Sequence, residues 1–296
     1  MSAELTAAER MRKFATRPAN EKYAALAMRL RRIFPNMPVP VRLPFGAWLL
    51  VGTSEVDLGL LWGVFERAEI LFVERFLRAG MTVLDIGAHH GLYTLLASKR
   101  VGGAGRVVAF EPSPRERAQL SRNLKINFCS NVRVEAWALG KERSQAELFL
   151  VNGGEDGCNS LRAPIAAGGA SPMSVAVARL DDWMEENGIA QVDFIKLDVE
   201  GGERDVLRGA GKLLGCRPRP VIFAEVQDLR TGPWGYAAKE IIEHLVQRGY
   251  KWFAMDAEGW LRELDVRAEK YDGNFVAFPE ERMGEMGRFM EKKELR

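Results

Sequence analysis

Three cysteines in 296 residues, Cys129, Cys158 and Cys216, are odd in number, far apart and never in a Cys-x-x-Cys pair. That excludes a disulfide framework and a cysteine-based structural zinc site, and it fits a reducing compartment. The three histidines form no metal-ligand spacing. No apolar run reaches the length of a bilayer span. The N-terminus opens on charged residues, without the short apolar stretch of a secretory signal. The expectation is a soluble, cytoplasmic protein. Neither sign of charge dominates, with 42 Lys and Arg against 40 Asp and Glu. A nucleic-acid partner, which demands a basic surface, is therefore not expected. Also missing is Gly-x-Gly-x-x-Gly, the loop that cradles a dinucleotide pyrophosphate, which disfavours a nicotinamide-dependent oxidoreductase.

What charge asymmetry exists lies at the start. Residues 1–50 hold nine Lys and Arg against three Asp and Glu. A solvated helical face explains this. The alternative is peripheral contact with an anionic substrate, carrier or membrane surface. Residues 1–65 read as an accessory segment. It is helical and basic to about residue 40, broken by Pro35, Pro38, Pro40 and Pro44, then short strands or a hairpin over residues 46–62, around Gly52 to Ser54. A helix from about Leu61 to Leu77 follows, with Val64, Ala68, Leu71, Phe72 and Phe76 as its buried stripe.

From Met81 short apolar strands alternate with amphipathic helices. Strands are expected at Thr82–Ile86, Arg106–Phe110, Val132–Leu139, Val192–Asp198, Val221–Val226, Trp252–Met255 and Asn274–Phe278. Helices are expected at Leu92–Lys99, Pro114–Asn127, Asp182–Asn187, Glu203–Leu214 and Ala237–Arg248. Glu147–Val151 and Ser174–Leu180 pair as a hairpin. Its Gly- and Ala-rich tip, from Gly153 to Ser171, reads as a mobile lid or a plain flexible turn. Near-continuous apolar strands joined by helices imply a mostly parallel α/β sheet covered on both faces. Such a sheet binds ligands beyond the carboxyl ends of its strands, where strand order reverses. Residues 280–296 form a charged tail, a solvated helix whose Met283, Met286 and Met290 dock one face.

Three segments carry chemistry. In Val83-Leu84-Asp85-Ile86-Gly87-Ala88-His89-His90-Gly91 the first core strand turns into a helix. Gly87 and Gly91 let the backbone pass close to a bulky ligand. Asp85 suits a positively charged group, such as a methionine ammonium, better than a phosphate. The second segment ends the next strand at Glu111-Pro112, where a carboxylate can accept both hydroxyls of a ribose; capping of the following helix is the competing role. The third, Asp193 to Glu203, ends its strand in a cluster of carboxylates. Glu203 suits the start of a helix. Asp198, ahead of the glycine pair, points into the cleft. Lys196 faces opposite to Ile195 and Leu197 and reads as a structural salt bridge.

These segments resemble the FkbM family of S-adenosylmethionine-dependent methyltransferases. The family pattern is a DxGAnxG loop, a strand ending in EP, and FIKxDVEGxE followed by VLxGA. Here the elements are Asp85 to Gly91, Glu111-Pro112, Phe194 to Glu203, and Val206-Leu207-Arg208-Gly209-Ala210. Asn159-Ser160-Leu161, Glu225 and Gly249-Tyr250 also fit. The resemblance spans about residues 66–279. One position departs: the family has Asn where this chain has His89, whose hydrogen-bond geometry and titration differ.

The resemblance implies a Rossmann-like class I methyltransferase fold. Its sheet is mostly parallel and seven-stranded, with an antiparallel last strand and an N-terminal helical or hairpin extension. It implies S-adenosylmethionine as cofactor, S-adenosylhomocysteine as product, and methyl transfer mostly to oxygen. Asp85, Gly87, Ala88, His89, Gly91 and Glu111 are then the cofactor residues, with Ala136 or Trp137 near the adenine. Asp198 is the expected general base or acceptor-orienting group, with Glu200 second. Asp198, Glu200 and Glu225 offer three oxygen donors to a divalent metal, which is not favoured without a supporting histidine. His90 reads as structural and His244 as solvent-facing. The acceptor class is a small molecule, sugar, glycolipid or natural product. N-methylation, and a non-catalytic module keeping the fold, are the alternatives; oligomeric state is not legible.

Overall fold

Alternation of Val39 and Val41 with Pro40 and Arg42 makes a strand with one buried face, Val39–Arg42 (β1), in the computed structural model. It pairs antiparallel with Trp48–Val51 (β2). The turn between them uses Gly46 at φ +86°, a hairpin that the sequence reading did not place. The structure describes residues 29, 38–51, 59, 65–151, 159–163 and 170–290. The helical reading of residues 1–40, the 52–54 turn and most of the 153–171 tip lie outside them. The chain divides into two compact units, 1–65 and 66–296.

The second unit begins with helix Arg67–Phe76 (α1), whose described start is six residues later than expected. Its buried side chains are Ile70, Phe72, Val73 and Phe76, so the stripe is rotated from the one read in the sequence. The chain then runs through Thr82–Ile86 (β3), Leu92–Val101 (α2), Arg106–Phe110 (β4), Pro114–Ile126 (α3), Val132–Glu135 (β5) and Ala138–Gly140 (β6). Next come Ser144–Val151 (β7), Ala170–Arg179 (β8), Leu180–Glu186 (α4), Phe194–Leu197 (β9), Glu203–Gly209 (α5) and Gly211–Gly215 (α6). Val221–Gln227 (β10), Asp228–Thr231 (α7), Lys239–Val246 (α8), Tyr250–Met255 (β11), Leu261–Glu263 (β12), Asp272–Pro279 (β13) and Met283–Met286 (α9) complete it.

The main sheet has the order β12-β11-β13-β10-β9-β3-β4-β5. Strands β3, β4, β5, β9 and β10 are parallel, and β13 runs antiparallel between β10 and β11. This is the expected seven-stranded sheet with an antiparallel last strand, and β12 adds a short eighth strand at the edge. Strand order reverses between β3 and β9, which places the ligand crevice at their carboxyl ends. Period-2 alternation puts Leu84, Ile86, Val108, Phe110, Ile195, Leu197, Ile222 and Ala224 in one core. Asp85, Lys196 and Phe223 fall on the other face, in register with one another.

Three departures have visible causes. The strand expected at Val132–Leu139 breaks at Ala136-Trp137, because Trp137 packs against the main core while β6 leaves to join the three-stranded sheet β6-β8-β7. The helix expected over Glu203–Leu214 breaks at Ala210. There Asp181 accepts hydrogen bonds from Lys212 N–H at 2.8 Å and Leu213 N–H at 3.1 Å, giving the second helix its own cap. A side chain on Gly209 would meet the Gly140 carbonyl. In the C-terminal tail the three methionines are half-buried. The residue that docks fully is Phe289, whose ring lies 5.8 Å from Phe72 and 5.5 Å from Phe76. No helix among the described residues is long and apolar enough to cross a membrane.

Phe76 joins helix, sheet and tail, with ring centroids 5.2 Å from Phe194 and 5.9 Å from Phe278. Phe76→Ala is expected to lower unfolding free energy by about 3–5 kcal/mol. Denaturant melts measure it as a lower midpoint at unchanged slope; a midpoint equal to the parent's contradicts this packing.

Candidate active site

The loop leaving β3 is fixed by its neighbours. Gly87 and Ala88 N–H groups both donate to the Phe110 carbonyl at 3.0 Å, and Asp198 N–H donates to Ile86 O at 3.0 Å. Gly87 sits at φ +84°, and a Cβ there would fall 1.7 Å from the Asp198 carbonyl oxygen. At Gly91, φ +92°, a Cβ would fall 2.4 Å from Leu120 Cδ1. Gly87 is thus required by close approach to the backbone, and Gly91 by its left-handed φ. His89 adopts φ +48°, a left-handed conformation in which Asn, Asp and His are enriched. That shared tolerance gives a backbone reason for His where the family pattern has Asn.

Asp85 is 1% exposed. Its Oδ2 accepts the Thr94 hydroxyl, while Oδ1 is buried with no hydrogen-bond partner. Burial raises its pKa, against the pull of Lys196 and the Thr94 hydrogen bond. Glu111 is also buried. Its two oxygens each accept a backbone N–H at 2.8 Å, from His89 and from Ser113. Burial lifts its pKa to about 7. Each oxygen keeps a lone pair for a hydroxyl donor. Glu111 N–H donates to Glu135 O at 3.0 Å, which places exposed Ala136 and half-buried Trp137 just beyond it.

On β9 the buried Lys196 Nζ lies 2.8 Å from Asp198 Oδ2 and 3.5 Å from the Gly87 carbonyl. Burial opposes its charge, but the Asp198 and Asp85 carboxylates outweigh it and keep the ammonium protonated. It also lies 5.4 Å from the Tyr93 ring centre. Tyr93 donates its hydroxyl to Glu66 at 2.6 Å. Beyond Asp198 the chain turns sharply through Glu200 at φ +56°. The Glu200 carbonyl accepts the Ser160 hydroxyl at 2.8 Å and the Trp234 indole N–H at 3.1 Å. Its carboxylate lies 3.0 Å from Arg230, and burial with Asp198 nearby pushes its pKa to about 8. Glu203 Oε1 accepts the N–H groups of Val199 at 2.9 Å and Gly201 at 3.2 Å, and burial lifts its pKa to about 7.

One oxygen each from Asp198, Glu203 and Glu225 lies within 4.8 Å of the others. The oxygen trio expected from the sequence had Glu200 in place of Glu203. Glu200 turns to Arg230, and the Gly201-Gly202 turn returns Glu203 to the strand end. The glycine pair was the signal for this. Glu66, Tyr93 and Arg230 were not singled out, and their approach depends on packing that spacing does not encode. A second cluster joins His89, His90 and Glu116; the two imidazoles stack at 3.9 Å. His244 is half-buried, not solvent-facing. Its Nε2 is out of solvent without a hydrogen-bond partner, and burial with Arg248 nearby lowers its pKa to about 4.

The crevice fits a nucleoside that carries a positive charge. Asp85 Oδ1 is an unpartnered buried acceptor at the end of β3, and the Glu111 carboxylate stands at the end of β4 with lone pairs to spare. Residues 85–252 match the methyltransferase FkbM domain. The chain is 31% identical to the 31-O-demethyl-FK506 methyltransferase FkbM of Streptomyces tacrolimicus, over 52% of this chain and 68% of that protein. It is 29% identical to the 2-O-methyltransferase NoeI of Sinorhizobium fredii, over 45% of this chain and 58% of that protein. It is 31% identical to Methyltransferase 1 of Beauveria bassiana, over 43% of this chain and 57% of that protein. The chain thus spans little more than half the length of the last two. A solved O-methyltransferase from Bacillus cereus, in complex with SAH, aligns at TM-score 0.42 and 15% identity, over 71% of this chain and 79% of that one.

The raised carboxylates set a pH dependence. Glu66, Glu111 and Glu203 have pKa values near 7 and Glu200 near 8, all above the ordinary 4.5. The folded chain therefore holds protons that the unfolded chain has released, and this stability is lost as pH rises through those values. The melting temperature without ligand is expected to fall between about pH 7 and 8.5, above the range where histidines titrate. A flat or rising melting temperature over that interval would contradict the burial of these acids.

Proposed function

Because this chain belongs to the FkbM methyltransferase family, we propose that it transfers the methyl group of S-adenosylmethionine to a hydroxyl oxygen. The acceptor is a small molecule, sugar, glycolipid or natural product. One arrangement carries the reading: Asp85 and Glu111 at the ends of neighbouring parallel strands, with Asp198 at the end of the strand on the other side of Asp85. The first two bind; the third faces the acceptor.

When bound, S-adenosylmethionine supplies a methyl group already activated by its sulfonium. The protein's part is alignment of acceptor oxygen, carbon and sulfur, which accounts for much of the rate in such displacements. Asp85 receives the methionine ammonium on its unpartnered oxygen, directly or through water. Glu111 receives the ribose hydroxyls, its own orientation locked by two backbone N–H groups. Ala136 and Trp137 flank the adenine. Lys196 holds one oxygen of Asp198. The other is left to accept a hydrogen bond from the acceptor hydroxyl and to take its proton as the O–CH3 bond forms. Glu200 is the second candidate for that proton. The names of NoeI and FkbM, both O-methyltransferases, support oxygen as the acceptor atom.

Calorimetric titration with S-adenosylhomocysteine tests the cofactor half. Micromolar binding is expected, and its loss in both Asp85→Ala and Glu111→Ala. Asp198→Asn is expected to keep that binding while slowing methyl transfer to a responsive acceptor by about 10²–10⁴-fold. A folded parent protein that binds no S-adenosylhomocysteine overturns the reading; binding without turnover on hydroxyl or amine acceptors leaves a non-catalytic module.

A further inference from the structure

We infer that the carboxylates of Asp198, Glu203 and Glu225 form a binding site for one divalent cation of the magnesium, manganese or calcium type. The three side chains come from the end of β9, the start of α5 and the end half of β10, yet each places an oxygen within 4.8 Å of the other two. All donors are carboxylate oxygens, the hard set that selects such cations over zinc or copper.

The cluster's own hydrogen bonding points to a missing ligand. Glu225 Oε2 is out of solvent and has no hydrogen-bond partner. Its surroundings are the wrong sign for an anion. Asp198 and Glu203 each bring a carboxylate oxygen within 4.8 Å of one of its own. Lys196 answers Asp198 and Arg230 answers Glu200. Among the described residues no ion pair answers Glu203 or Glu225. Burying unpaired anions is strongly unfavourable unless they are paired, protonated or coordinated to metal. The His89, His90 and Glu116 cluster differs. There the Glu116 carboxylate already takes the Ser113 hydroxyl and the Arg115 guanidinium, so it is closed.

The role of the cation rests on the methyl-transfer reading. An ion beside Asp198 offers an open coordination position to the acceptor hydroxyl and lowers that hydroxyl's pKa. The site itself stands without that reading.

Manganese(II) is the probe, titrated into the chelator-treated full chain and followed by loss of its free EPR signal. One bound ion per chain is expected. Glu225→Gln, which keeps the shape and removes a charge, is expected to weaken binding by about 100-fold, at least the loss seen on removing an outer-shell partner. Asp198→Asn is expected to do the same, and stands as the second variant should the first not fold. Glu147→Gln, on an exposed residue of β7, is expected to leave binding unchanged. A parent protein that binds no manganese overturns the site, as does undiminished binding in the folded Glu225→Gln or Asp198→Asn variant. The same samples are titrated with S-adenosylhomocysteine. Cofactor binding without manganese overturns only the cation site; manganese binding without cofactor overturns only the methyltransferase reading.

Discussion

The buried ammonium of Lys196 lies among the carboxylates on which the crevice depends. It touches Asp198 directly and draws on the charge of Asp85. An amine so enclosed would ordinarily lose its proton. Here two acids on adjoining strand ends keep it charged, and its own charge in turn opposes the burial that raises the Asp85 pKa. The ends of β3 and β9 are thereby tied at the point where strand order reverses. The acid that binds and the acid that faces the acceptor share one counter-charge. Removing Lys196 would leave buried Asp85 and half-buried Asp198 facing each other without a counter-charge, which is more costly than the loss of a surface ion pair.

Backbone contact reinforces that electrostatic tie. With no side chain at Gly87, the loop after β3 lies directly on the Asp198 carbonyl. Glu111 then fastens the same loop from the other side through His89 N–H. The segment meant to receive a ligand is consequently held before any ligand arrives. Such preorganisation is what alignment-based catalysis requires.

The parts of the fold legible in the sequence were those governed by local pattern. Thr82–Ile86 and Arg106–Phe110 are short, mostly apolar segments ending at turn residues, and the strands keep those bounds. Ser113-Pro114 opens a helix for steric reasons that need no tertiary context. Illegible parts depend on distant partners. Asp181 restarts a helix thirty-one residues away. Trp137 bends a strand to reach the core. Phe289 replaces three methionines as the tail's anchor, because a ring cluster from α1, β9 and β13 was waiting for it. The site divides along the same line. Asp85, Glu111 and Asp198 stand at strand ends and could be picked out one at a time. That Glu203 meets Glu225, or that Glu66 reaches Tyr93, follows from register and helix placement.

Strand β13 has a consequence for biosynthesis. Among the described residues it is the last strand in chain order, yet it lies between β10 and β11. While the ribosome is still adding residues before Asp272, β11 has no neighbour linking it to the rest of the sheet, and β10 exposes an unpaired edge beside Glu225. The half built on β3, β4 and β5 can assemble during synthesis. The half carrying Glu225 can close only after β13 emerges and inserts itself. Nascent chains therefore display an open, sticky edge until late, and a transcript cut short before β13 yields an aggregation-prone fragment in place of a smaller working enzyme.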